Sequence, residues 1–386
     1  MRLAGDISVP WRVPLLLLAF ASLFLGMWVG LARLGWPLPA AGLAAMHGPL
    51  MASGFFGTVI SLERAVALRE RWAYAAPLLS GLATLAALVA APVAVAPALA
   101  TGGSAVMLAA SAAVYRRQRE LFTLTLVLGA ASWIAGNVVW LAGEPIYAVV
   151  PWWIAFLVLT IAGERLELSR FLPPSPGAKR VFAVLIAVLL GGVTLALFTR
   201  PVGTIALGIA LTGLAFWLVG QDVARRTVTK HGLTRFIAVC LLSGYVWLAL
   251  SGTSMLLSGG LGFGGAAYDA ALHAVLLGFV FSMVFGHAPI ILPAVLRVAV
   301  PYSPYFYAPL ALLHASLFLR LAGDWMGFPD WRAWGAAFNG LALLAFVLGT
   351  MGAVIRGLLM PGPNTVRGAR VATASGAQTV LSEEKP

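Results

Sequence analysis

Val13-Pro-Leu-Leu-Leu-Leu-Ala-Phe-Ala-Ser-Leu-Phe-Leu-Gly-Met-Trp-Val-Gly-Leu-Ala-Arg33 decides the fold class. No charge interrupts the run before Arg33. At 1.5 Å per residue it spans about 30 Å, the thickness of a bilayer's hydrocarbon core. A secretory leader has an apolar stretch of only about 7–15 residues, and here a second apolar run follows at once, so the segment reads as a membrane span. β-barrel strands are about 10 residues long with alternating polarity, which excludes a barrel.

The rest of the chain repeats this pattern. Hydrophobic residues make up 61% of the 386 and charged residues 10%, and the mean hydropathy is +0.95. A soluble domain carries roughly 25% charged residues. Twelve spans are read: 13–33, 40–63, 73–93, 96–115, 121–141, 146–164, 181–199, 203–221, 236–258, 267–293, 304–322 and 333–355. The expectation is an all-α membrane protein, with residues 1–360 as one twelve-helix transmembrane domain. Residues 361–386, rich in Pro, Gly, Ser and Thr, read as a disordered cytoplasmic tail.

Charge gives the orientation. The net charge is +12, but no Lys/Arg run is interleaved with aromatics as a nucleic-acid surface requires, so the basic residues read as topology anchors. Placed on alternate sides of the twelve spans, 21 of the 25 Lys and Arg fall on one side. Only Arg33, Arg200, Arg320 and Arg332 fall on the other. The rule that cytoplasmic loops are basic puts both termini in the cytoplasm of a bacterial-type inner membrane. Glu63-Arg64 and Glu164-Arg165 end spans 2 and 6 at one face, and Arg69 and Arg170 each follow five residues on. That echo suggests three four-helix arcs; the alternative is that inward helix ends simply favour Glu followed by Arg. Each Glu is expected to pair with its neighbouring Arg.

Four of the five histidines lie in spans, where an ionisable side chain is a functional-site hypothesis. His47 and His273 are each about 10 Å below the outer surface on spans 2 and 10, and therefore level. One metal between them, as in an iron porphyrin with two axial imidazoles, needs that arrangement. Met51, Gly54 and Thr58 lie within about 40° of His47 on one helix face. Small residues there admit either a flat macrocycle or a neighbouring helix. Asp269 precedes His273 by one turn and is either a partner for its imidazole or a solvated acid at the helix start. Asn137 is expected to hydrogen-bond between helices. His287 and His314 are each about 15 Å from the inner surface, so they are expected to approach each other as a second polar site. That site could hold copper or a second haem, line a proton path, or consist of packed neutral imidazoles. The single cysteine, Cys240, excludes a disulfide framework and Cys-based zinc or iron–sulfur sites. No phosphate-binding loop, nucleophile elbow or H-E-x-x-H motif occurs.

His47-Gly-Pro-Leu-Met51-Ala-Ser-Gly54-Phe55, followed by Val59-Ile60, resembles the second helix of the NnrS family. These are twelve-helix, haem- and copper-containing membrane proteins tied to nitric-oxide stress and denitrification. Span 10, with His273 early and Gly286-His287 late, is similar to that family's late helix. The family often has a second histidine and a glutamate in the span 2 motif, where this chain has Pro49 and Leu50. The layout is also similar to the large subunit of haem–copper oxidases and nitric-oxide reductases, whose haem ligands lie on helices 2 and 10. That subunit's copper-ligating histidines are missing here: span 6 offers Trp152 and Trp153, and span 7 has no histidine.

The resemblance implies haem b held by His47 and His273, with nitric oxide as a small ligand and nitric-oxide binding, response or reduction, or electron transfer, as the role. If the chain is an enzyme, it is then a haem-dependent oxidoreductase. The competing class is a twelve-helix secondary transporter without haem, for which Pro289 and Pro293 would break a helix near the midplane.

Overall fold

The computed structural model describes residues 5–39, 41–169 and 174–359. The proposed tail, 361–386, lies outside them. Among the described residues there is no strand. The helices are α1 Val9–Arg33, α2 Leu43–Leu68, α3 Ala75–Leu88, α4 Val95–Arg117, α5 Leu121–Leu141, α6 Ile146–Leu168, α7 Pro176–Leu195, α8 Arg200–Gln221, α9 Gly232–Leu257, α10 Ala266–Leu296, α11 Pro304–Met326 and α12 Pro329–Leu359. Eleven of these are long and apolar enough to cross a membrane, so this is a multi-pass membrane protein.

α3 is the exception. Its 14 residues reach about 21 Å, short of a full bilayer core. Hydropathy continues through Val93, but the backbone leaves the helix earlier. Ala90 takes φ 49°, a left-handed turn, and Pro92 follows. A 3₁₀ turn, Arg71–Tyr74, leads into the helix at its other end.

Successive helices pack side by side as antiparallel hairpins, the cheapest connection for short loops. α6 is buried without interruption from Trp153 to Gly163. A helix apolar on every face belongs inside a bundle, and α6 meets α5, α7, α8 and α10. Glycines set several of the close approaches. A Cβ at Gly278 on α10 would collide with the Trp247 indole of α9, and one at Gly57 on α2 would collide with Trp133 of α5. Small residues permit such contact where no hydrophobic effect draws helices together.

α2 and α10 share an irregularity. Three residues after His47 the backbone widens to π-helical geometry over Leu50–Gly57. Directly after His273 it does so again over Ala274–Phe281. Both helices also end on an arginine in the left-handed conformation, Arg69 at φ 60° and Arg297 at φ 55°.

Replacing Gly278 with leucine forces a branched side chain into Trp247 and is expected to cost about 1–3 kcal/mol. A lowered melting temperature of the detergent-solubilised protein, with the helical circular dichroism retained, is the expected result.

Candidate functional site

α1, α2, α6, α10, α11 and α12 surround a cavity of about 640 Å³, within the range of small-molecule and cofactor sites. His47 and His273 both line it. Their ring centroids are 6.2 Å apart and the ring planes differ by 25°.

Each imidazole is fixed by its Nδ1. His47 Nδ1–H donates to the Gly26 carbonyl of α1 at 2.8 Å. His273 Nδ1–H donates to the Asp269 carbonyl one turn earlier, also at 2.8 Å, and Asp269 Oδ1 stands 3.3 Å from the same nitrogen. A carbonyl only accepts, so Nδ1 holds the proton in both rings and Nε2 holds the lone pair. Neither Nε2 has a hydrogen-bond partner among the described residues. This is the tautomer and support that a metal-ligating histidine takes. The spacing fits as well. With metal–nitrogen bonds of about 2 Å and ring centres about 1 Å further out, two imidazoles on opposite sides of one metal have centroids roughly 6 Å apart.

Asp269 is itself anchored. Arg320 binds it through two bonds, Nε to Oδ2 at 2.9 Å and Nη2 to Oδ1 at 3.0 Å. Arg332 lies 3.6 Å from Asp269 Oδ1 and 3.1 Å from Asp324 Oδ1. The carboxylate thus joins α10 to α11 and α12 beside the imidazole.

α1 approaches His47 through Gly26 and Gly30. A Cβ at Gly30 would sit 2.8 Å from the imidazole, and one at Gly26 would sit 2.6 Å from Met51 Sδ. Met51 lines the cavity. Gly54 does not. It faces Ser22 and Thr84, where it lets α1 and α3 close on α2, so its role is helix contact.

Hydroxyl groups hold the widened part of α2. Ser22 donates to the Leu50 carbonyl at 2.8 Å, and Ser80 to the Ser53 carbonyl at 2.6 Å. Asn137 stands at the centre of a buried network. Its Oδ1 accepts from Ser53 at 2.8 Å and from the Trp153 indole at 3.0 Å, while its Nδ2 donates to the Ala100 carbonyl at 3.1 Å. Trp153 forms a cavity wall beside Gly48. Phe56 and Phe281 line the cavity, and Phe55 packs behind them, stacked on Phe281 at 5.8 Å.

His287 and His314 bond to different helices. His287 Nδ1–H donates to the Met283 carbonyl at 2.6 Å, and its Nε2 accepts from Arg165 of α6 at 2.7 Å. His314 Nδ1 accepts from Trp247 at 2.9 Å, which leaves the proton on Nε2, 3.0 Å from Ser243 Oγ. Both lone pairs are engaged, and no bond joins the two rings. Among the described residues, no group of three or more His, Cys, Asp or Glu could hold a metal ion.

Of the Glu–Arg neighbours at the ends of α2 and α6, one pair forms, and it runs between the two helices. Arg64 reaches Glu164 at 3.9 Å, and Arg165 is taken by His287. The cavity arginines, the Gly26/Gly30 pair and the π-helical stretches did not emerge from the sequence. Arg33, Arg320 and Arg332 carried a signal nonetheless, as basic residues on the sparsely charged side.

Asn137→Leu orphans the Ser53 hydroxyl and the Trp153 indole. At about 1–3 kcal/mol for a buried unpaired group, the substitution is expected to lower the melting temperature measurably. Trp153 fluorescence should shift with it, because that indole borders the cavity.

No curated protein matches the chain in sequence. Residues 12–355 match the family described as Domain of unknown function (DUF8744), which takes in every helix that borders the cavity. The chain therefore belongs to the DUF8744 family.

Proposed function

We propose that the protein binds haem b in this cavity through His47 and His273. The observation that carries the reading is the pair of imidazoles, each with Nδ1–H tied to a carbonyl and Nε2 left over, 6.2 Å apart on one 640 Å³ cavity. Met51, Trp153, Phe56, Leu277 and Phe281 give the walls an apolar character that suits a flat macrocycle. When bound, haem supplies one-electron chemistry and affinity for diatomic ligands such as nitric oxide. The protein's part would be to present the unprotonated Nε2 atoms of His47 and His273, to keep Asp269 against the His273 ring, and to wall the cavity with Phe56 and Phe281. The resemblance to the NnrS family supports a role in nitric-oxide binding, response or reduction. Copper and a second haem gain no such support from the bonds of His287 and His314.

The reading places the chain in a bacterial-type inner membrane with both termini in the cytoplasm and twelve crossings, α3 being the short one. The uneven Lys/Arg distribution supports that orientation.

A haem-free transporter is the competing class. Pro289 and Pro293 lie inside α10, as broken transporter helices require. Such a protein has no need of two level imidazoles with free Nε2 atoms.

The purified protein, made with ample haem, is expected to show the spectrum of low-spin, bis-histidine haem b. His47→Ala and His273→Ala should each abolish that spectrum, whereas His287→Ala and His314→Ala should leave it in place. A colourless wild-type protein overturns the reading. Orientation is checked separately, by reporter fusions at residue 359 and in the loop between α9 and α10. These should report the cytoplasm and the opposite side respectively, and a shared side would refute the crossing number.

A further inference from the structure

The four basic residues on the sparsely charged side meet at one place. Arg33, Arg320 and Arg332 line the cavity. Arg200 lies 5.0 Å from the ring centre of Tyr147 and 5.3 Å from that of Phe263, and both rings line it too. Loop anchoring does not explain this convergence, because anchors are spread among loops on the opposite side.

Nor is their charge balanced from within. Arg320 is committed to Asp269, and Arg332 to Asp269 and Asp324. Arg200 is held by carbonyls, its Nη1 donating to Tyr147 at 2.8 Å and its Nη2 to Gly262 at 2.9 Å. Those bonds fix the guanidinium without neutralising it. Neither Arg200 nor Arg33 has a carboxylate partner among the described residues. Asp269 and Asp324 thus pair with Arg320 and Arg332, and Arg33 and Arg200 are left without a carboxylate partner where the cavity opens. Protein walls of low polarity focus such a field on whatever occupies the mouth.

We infer that this mouth is a carboxylate subsite, built for a planar occupant bearing two carboxylates on one edge. The inference rests on the haem reading, since the two propionates of haem b supply that chemistry. It adds a direction: the acidic edge lies at the arginines and the apolar edge against Phe56 and Phe281. Arg33, exposed at the end of α1, is free to close on a carboxylate, while Arg200 supplies fixed charge from the rim.

The test uses a probe without iron, so that axial ligation plays no part. The full-length protein in detergent is titrated with metal-free protoporphyrin IX and with its dimethyl ester, followed by tryptophan quenching. The free acid should bind about tenfold tighter than the ester, the size of effect that partly exposed charge pairs give. Arg33→Gln and Arg200→Gln should each reduce that ratio about threefold and leave the affinity for the ester unchanged. Arg200→Lys should preserve the ratio, which separates lost charge from a disturbed fold. The ratio should also persist in the His47→Ala/His273→Ala double variant. Equal affinity for acid and ester, an unchanged ratio in both glutamine variants, or no binding of either probe overturns the inference. The haem reading fails separately: a wild-type protein that prefers the free acid but gives no low-spin spectrum with hemin ends it and leaves the carboxylate subsite standing.

Discussion

Backbone polar groups in a bilayer find no water, so every departure from the α-helix must be satisfied by protein. This constraint governs the centre of the molecule. α2 widens after His47 and α10 after His273. Each widening alters which carbonyls the helix itself can satisfy, and side chains take up the difference. Ser22 and Ser80 reach across to α2, and Ser251 donates to the Ala271 carbonyl of α10 at 2.7 Å. The hydroxyls therefore belong to the same device as the imidazoles. They satisfy the backbone of an unusual helical pitch beside two imidazoles whose centroids are 6.2 Å apart, and π-helical turns are frequent at functional sites.

The two histidine helices are handled alike, although their sequences differ. In each, a histidine precedes the widened stretch, its Nδ1 is tied to a carbonyl, and a phenylalanine eight residues further on stacks against its counterpart, Phe55 on Phe281. The supports differ. His47 leans on a neighbouring helix through Gly26, whereas His273 leans on its own helix and on a carboxylate held by two arginines. One imidazole is therefore set by helix contact and the other by its own helix and an anchored carboxylate.

Hydropathy made the helices legible because a 30 Å apolar slab leaves the chain little choice. It misplaced the end of α3, where Ala90 turns left-handed inside a stretch that is apolar through Val93. A run of hydrophobic residues does not reveal a backbone reversal that alanine can adopt. Depth arithmetic was informative for His47 and His273, because it depends only on rise per residue. For His287 and His314 equal depth says nothing of which neighbours claim the rings. Which neighbour claims a ring depends on rotation about each helix axis, and Arg165 and Trp247 lie on other helices. The crosswise pairing of Arg64 with Glu164 was hidden for the same reason: adjacency in sequence puts two side chains about 100° apart on a helix.

Phe55, Phe56 and Phe281 also divide the protein electrically. On one side of them lies a cavity with arginines at its mouth; on the other lie Arg64, Glu164, Arg165 and His287, all polar. A voltage across the membrane falls mainly over buried material, and both these rings and the buried Arg165 beyond them belong to it. Moving one elementary charge through the full potential involves about 2.3 kcal/mol per 100 mV. A charge exchanged with the solution at the cavity's mouth crosses less of that buried material than one exchanged past the phenylalanines.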